Sequence, residues 1–190
     1  VHGTTPTSTQ AFGEGNSLED VTREIADECG VQALPVHGDL TDEVRVKSIA
    51  AQVREEFGRI DILINCAGGD IGAAGTGAPL AGKPPQNDAV FIALDDIRTV
   101  LERNVMTCIL CCREVAPEMM ERKAGHSVSI GSNAGLFGAS NSAIYATSKA
   151  AVQSHWRPHN VIAPGEIETP RFLASRVIDC LLYTSDAADE

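Results

Sequence analysis

The sequence predicts an α/β fold: a doubly wound parallel sheet with helices on both faces. Three observations predict it. Helical and strand-like segments alternate, and no hairpin turn signals separate them. The residues least suited to regular structure fall at the C-terminal ends of the predicted strands: Asp39, Asn65 to Gly69, Ser132 and Pro164-Gly165. Open α/β sheets hold their ligands at those ends. Finally, 190 residues with 43% apolar and 22% charged side chains suit one globular domain with one core.

The elements follow in order. Residues 1–16 are rich in Thr, Ser, Gly and Pro and read as loop. Ser17 with Asp20 three residues later signals a helix start. Leu18, Val21 and Ile25 make its face, and Gly30 suits its end. Ala33 to His37 reads as a strand. Thr41, Asp42 and Glu43 open a second helix that runs through Val44, Ile49, Val53 and Phe57 and stops at Gly58. Ile60 to Ile64 is a second strand. Residues 69–89 carry no period and make a long loop, a kind usually functional or mobile. A long helix spans about Ala93 to Arg122. Ser127 to Ile130 is a strand, 131–142 a loop, Ala143 to about Trp156 a helix, and Asn160 to Ala163 a short strand closed by Pro164-Gly165.

Composition sets limits on partners. The formal net charge is -11, which repels phosphate backbones and anionic lipid, so neither nucleic acid nor a membrane surface is expected. No apolar run approaches the roughly 18 residues that span a bilayer. Val1-His-Gly-Thr-Thr-Pro lacks the features of a secretory signal, and a cytoplasmic location is expected. The six cysteines, at 29, 66, 108, 111, 112 and 180, have no framework spacing. They read as buried reduced thiols, with no metal site.

Tyr145-Ala-Thr-Ser-Lys149 carries the chemistry. Positions i and i+4 share a helix face, so the phenol and ammonium can meet. A free Tyr is a poor base at neutral pH. Lowering its pKa by about three units takes about 4 kcal/mol, within reach of a partly buried Lys and a cationic cofactor. By itself the pair is also what a surface helix shows. Ser132 lies thirteen residues earlier, at a strand end, where its hydroxyl can steady negative charge on a carbonyl oxygen. Asn104 sits inside the long helix, where Asn is a poor helix former and often marks a break.

Together these residues resemble the short-chain dehydrogenase/reductase family. Asp61 to Gly68 is similar to its D-x-x-x-N-x-A-G stretch, and Pro164 to Thr169 to its P-G-x-[IV]-x-T stretch. Asn104, Ser132, Tyr145 and Lys149 match its tetrad in order, and Gly38-Asp39-Leu40 resembles its adenine-facing acidic pair. The resemblance covers about residues 17 to 175 and implies a Rossmann-type sheet. It implies NAD(P)-dependent interconversion of a carbonyl and a secondary alcohol, in a homodimer or homotetramer. Tyr145 would exchange the proton with the substrate oxygen. Lys149 would bind the ribose and depress the Tyr145 pKa. Ser132 would hold the substrate oxygen, and Asn104 a water in the relay. Asp39 and Leu40 would meet the adenine, and Asn65, Ala67 and Gly68 the region of the ribose. Pro164 and Gly165 would border the cofactor, with Ile167 and Thr169 at its carboxamide. A ketoacyl-reductase-like or sugar/polyol substrate is expected.

The chain also departs from the family. No T-G-x-x-x-G-x-G precedes residue 17, so the resemblance implies a first βα unit upstream of Val1. In the 3-2-1-4 strand order that unit is the central joint, and without it the strand at 33–37 cannot pair with that at 60–64. Thr4 and Thr5 stand where an acidic residue would favour NAD, a slight lean to NADP. The stretch between Lys149 and Pro164 is shorter than the family's by roughly three helical turns. It still closes on paper: a helix of about eleven residues descends roughly 16 Å, and a strand of about five climbs as far. Residues 1–179 are expected to be one truncated domain. Cys180 to Glu190 resembles the translation of a transposon-end sequencing adapter, and the family's C-terminal end is expected to be missing. The alternatives to an active oxidoreductase are an inactive dinucleotide-binding module and a non-functional gene fragment.

Overall fold

A computed structural model describes residues 2–3, 17–154, 160–165 and 167. Strand β1 (His2–Gly3) is followed by α1 (Leu18–Cys29), β2 (Val36–His37), α2 (Glu43–Phe57) and β3 (Ile62–Asn65). Then come α3 (Leu94–Leu101), α4 (Thr107–Glu121), β4 (His126–Ile130), α5 (Ala134–Phe137), α6 (Ala143–Ser154) and β5 (Asn160–Ile162). All pairings among the described residues are parallel. The predicted α/β architecture with a parallel sheet is what forms.

Local signals set the helix ends. Ser17 and Asp20 form a reciprocal capping box, with Asp20 N donating to Ser17 Oγ at 3.1 Å and Ser17 N to Asp20 Oδ2 at 3.3 Å. Gly30 closes α1 at φ 63°, a left-handed conformation that glycine adopts without cost. Asp42 caps α2, its Oδ1 accepting from Val44 N at 2.8 Å.

Pairing divides the strands. β1 pairs with β2, while β3, β4 and β5 form a separate sheet in that order. As the strand order implied, β2 and β3 do not meet among the described residues. The strand read at 33–37 is only Val36–His37, and Pro35 just before it has no backbone N–H to give a ladder.

The three-stranded sheet is covered unequally. Leu63 faces a core of Cys108, Cys112 and Val152, from α4 and α6. Side chains alternate along a strand, so Ile62 and Ile64 point the other way, and they are 60% and 63% exposed. Ile162 on β5 is also exposed. The expected cover on both faces is therefore present on one face only among the described residues.

Four other readings need correction. The long helix is interrupted by a π-helical turn at Glu102–Met106. The loop read at 69–89 is built rather than featureless: it holds a 3₁₀ turn at Pro79–Gly82, buries Ile71 and Ala81, and closes with Gly72 N donating to Gly82 O at 2.9 Å. The loop at 131–142 contains the single turn of α5. Among the cysteines, Cys108 and Cys112 are buried, but Cys29 and Cys66 are exposed, since Cys66 lies just past the end of β3. Cys180 and the rest of the tail lie outside the described residues. No described helix is long and apolar enough to cross a membrane.

Candidate active site

Helix α6 brings Tyr145 and Lys149 together as the spacing predicted. The Lys149 ammonium lies 5.7 Å from the centre of the Tyr145 ring. Lys149 is only 5% exposed. Its Nζ donates to the carbonyl of Ile130 at 2.8 Å, so the buried charge has a partner at the end of β4. Burial pushes the Lys149 pKa below its ordinary value, and the nearby Cys66 and Cys108 thiols oppose that shift.

Ser132 stands two residues beyond Ile130, at the same sheet edge. Its Oγ accepts from Ala134 N at 3.2 Å, and its carbonyl accepts from Gln153 Nε2 on α6 at 2.7 Å. The loop can lie this close to α6 because Gly135 has no side chain: a Cβ there would stand 2.7 Å from Ala150 N. Two bonds, from Lys149 and Gln153, thus tie α6 to the segment that carries Ser132.

Asn104 occupies the π-helical turn and is 2% exposed. Its Nδ2 donates to Gly69 O at 2.8 Å and to Val100 O at 2.9 Å, while its Oδ1 accepts from Gly69 N at 3.0 Å. The mid-helix Asn does mark a break. Its side chain serves the backbone just after β3 and packs the turn close enough that a Cβ on Gly68 would fall 2.5 Å from Oδ1. The turn also packs against α6.

The residues expected to meet a dinucleotide divide into groups. Leu40, Asn65 and Ala67 line one cavity of about 450 Å³ with Ile49, Cys66 and Cys108. The Asn65 amide turns inward, donating to Cys112 Sγ and Ser129 Oγ, each at 3.3 Å. Asp39 is exposed; its Oδ1 accepts from Thr41 N at 2.9 Å and Thr41 Oγ1 at 2.7 Å. Gly68 has φ 139°. Pro164 O accepts from Asn133 N at 2.9 Å, so the chain returns to the Ser132 edge after its short crossover, as the lengths allowed. Gly165 lies beside Asn133, and Ile167 is exposed. Thr169 lies outside the described residues.

Sequence reading missed Asp70, Asn87 and Ser142, which bond to one another between the long loop and the start of α6. Only Ser142 carried a signal, as a serine directly before a helix.

Comparison with known proteins decides the family. The short chain dehydrogenase family model matches residues 9–174. The chain belongs to the short-chain dehydrogenase family. A cyclohexanol dehydrogenase from Rhodococcus sp. is 32% identical over 170 residues, covering 83% of this chain and 58% of the relative. A 3-oxoacyl-[acyl-carrier-protein] reductase from Salmonella typhimurium is 28% identical over 162 residues, covering 80% and 61%. The crystal structure of an NAD+-bound xylitol dehydrogenase superposes with TM-score 0.70 at 27% identity, covering 85% of this chain and 60% of that one. The chain thus spans about 60% of the length of these short-chain dehydrogenases.

Proposed function

We propose that the protein is an NAD(P)-dependent oxidoreductase that interconverts a carbonyl and a secondary alcohol, with Tyr145 as the acid/base. The observation that carries this reading is the buried Lys149 ammonium 5.7 Å from the Tyr145 ring. A cation so close favours the phenolate and lets the phenol release and recover a proton near neutral pH. Tyr145 would exchange that proton at the substrate oxygen. Ser132, at the adjoining sheet edge, would donate to the same oxygen and steady its charge. Asn104 would hold a water behind Lys149.

The residues present fit part of a nicotinamide dinucleotide. Leu40, Asn65 and Ala67 border one cavity, wide enough for an aromatic base and sugar. Leu40 would pack on the base, Asp39 would accept from its amine, and Ala67 and Gly68 would leave room for the ribose. Lys149 would donate to the ribose hydroxyls, and Pro164, Gly165, Ile167 and Thr169 would border the nicotinamide end. The cofactor, when bound, supplies the hydride chemistry. The neutral Thr4 and Thr5 favour NADP slightly over NAD. The named relatives suggest a cyclic alcohol, a 3-oxoacyl thioester or a polyol as substrate. The same reading carries a cytoplasmic location and a homodimer or homotetramer.

The test has two parts. Fluorescence titration with NADH and NADPH measures binding. Absorbance of the reduced cofactor follows turnover with cyclohexanone, a 3-oxoacyl thioester and xylulose. Tyr145→Phe should lower turnover by about a thousandfold or more and leave cofactor affinity within about twofold. Unchanged turnover in Tyr145→Phe would sink the assignment. Binding with no turnover in the parent protein would favour a binding module instead.

A further inference from the structure

We propose that Asp70, Asn87 and Ser142 form a cap, built from the long loop, that fixes the first turn of α6 and thereby positions Tyr145. This rests on the reading of Tyr145 as the proton-exchanging group.

Helix starts are weak points. The first turn of a helix has backbone N–H groups with no intrahelical partner, and it frays unless something outside the helix holds it. Ser142 is the residue at the boundary, since its carbonyl accepts the first helical bond, from Ala146 N at 2.8 Å. Tyr145 sits three residues on, inside that first turn. Its place relative to Lys149, one turn later, depends on the turn staying closed.

The loop closes it from two sides. Ser142 Oγ donates to Asp70 Oδ2 at 2.8 Å. The N–H of Ala143, the first helical residue, donates to the carbonyl of Asn87 at 3.1 Å. The two loop residues are joined to each other, Asn87 Nδ2 donating to Asp70 Oδ1 at 2.6 Å. Asn87 is 3% exposed and its Oδ1 is buried without a partner. An orphaned buried acceptor is unfavourable and persists only where the surroundings hold the side chain firmly. A carboxylate at this end of the helix also complements the partial positive charge of the exposed N–H groups. Buried Ile71 and Ala81, between Asp70 and Asn87, and Ile92 beyond them anchor the loop. The loop is therefore a fixed wall beside Tyr145 rather than a free lid.

The chain has two tyrosines, so Tyr183→Phe leaves Tyr145 as the sole phenol to titrate by ultraviolet absorbance. In that background, hydrogen exchange of residues 143–146 and the pH midpoint of phenolate absorbance are measured together. Neither readout depends on turnover. Ser142→Ala, which changes no charge, should speed exchange about fivefold to tenfold, the size of a lost side-chain hydrogen bond. It should also move the phenolate midpoint by about half a pH unit or more. Asp70→Ala should do the same. Ser142→Thr keeps the hydroxyl and should restore both values. Asp70→Asn keeps one oxygen to accept from the Ser142 hydroxyl and should restore part of both values. Unchanged exchange in Ser142→Ala overturns the cap. Faster exchange with an unmoved midpoint overturns the positioning of Tyr145. Failure of the acid/base reading would show separately, as unchanged turnover in Tyr145→Phe.

Discussion

The aliphatic side chains on the two faces of β3 are alike in sequence and unlike in structure. Along β3, Leu63 packs into the α4–α6 core, while Ile62 and Ile64 beside it are mostly exposed. All are large and apolar, as strands buried on both faces require. On the helix-covered side the polar groups are also settled: Asn104, Lys149 and Ser129 are buried with partners. Every candidate catalytic side chain is anchored from this side or from the C-terminal sheet edge. The lesson is that catalytic geometry depends on local helix–sheet bonds within residues 62–154. The cavity proposed for the cofactor also draws on Leu40 and Ile49, which follow β2 outside that stretch.

Four substitutions can break or sharpen that contrast. The largest effect should come from Asn104→Ala, which strands both the N–H and the carbonyl of Gly69. A loss of about 3 kcal/mol in urea unfolding is expected, and a loss below about 1 kcal/mol would show that the covered face is less tightly built than its bonds suggest. Next is the pair on one strand. Leu63→Ala should cost about 2 kcal/mol by opening the α4–α6 core, whereas Ile64→Thr should change stability by less than about 0.5 kcal/mol. Equal losses for the two would mean that the open face is covered after all. A smaller loss than that of Leu63→Ala lies at the link between α2 and α4. Arg54 on α2 donates to Glu114 Oε1 at 2.8 Å, Glu114 O at 3.0 Å and Glu118 Oε2 at 3.2 Å on α4. The two carboxylates raise the Arg54 pKa, so the guanidinium stays charged throughout the working range. Arg54→Met should cost about 1 kcal/mol in unfolding, less at high salt, where the pairs are screened.

Much of the candidate site was legible because its signals are local. The Tyr145–Lys149 pairing follows from helical periodicity, and the Ser17–Asp20 box from three-residue spacing. Asn104 announced a break because Asn is a poor fit inside a helix, and the break is the π-helical turn. Other features have no local signature. Nothing about Gln153 in the sequence says that it will hold the Ser132 carbonyl. Gly135 reads as one more loop glycine, yet only glycine fits against α6 there. The cap is the clearest case, since Asp70 and Ser142 are 72 residues apart.

By itself, the sequence determined the α/β class, the ends of α1 and α2, the family and the order of Asn104, Ser132, Tyr145 and Lys149. These rest on periodicity, capping and short motifs, which act within a few residues. Only the tertiary structure decided which apolar face is covered, where the Asn65 amide points, and that the long loop holds the first turn of the Tyr145 helix. Those outcomes depend on burial and on bonds between distant segments, and no window of sequence contains both partners.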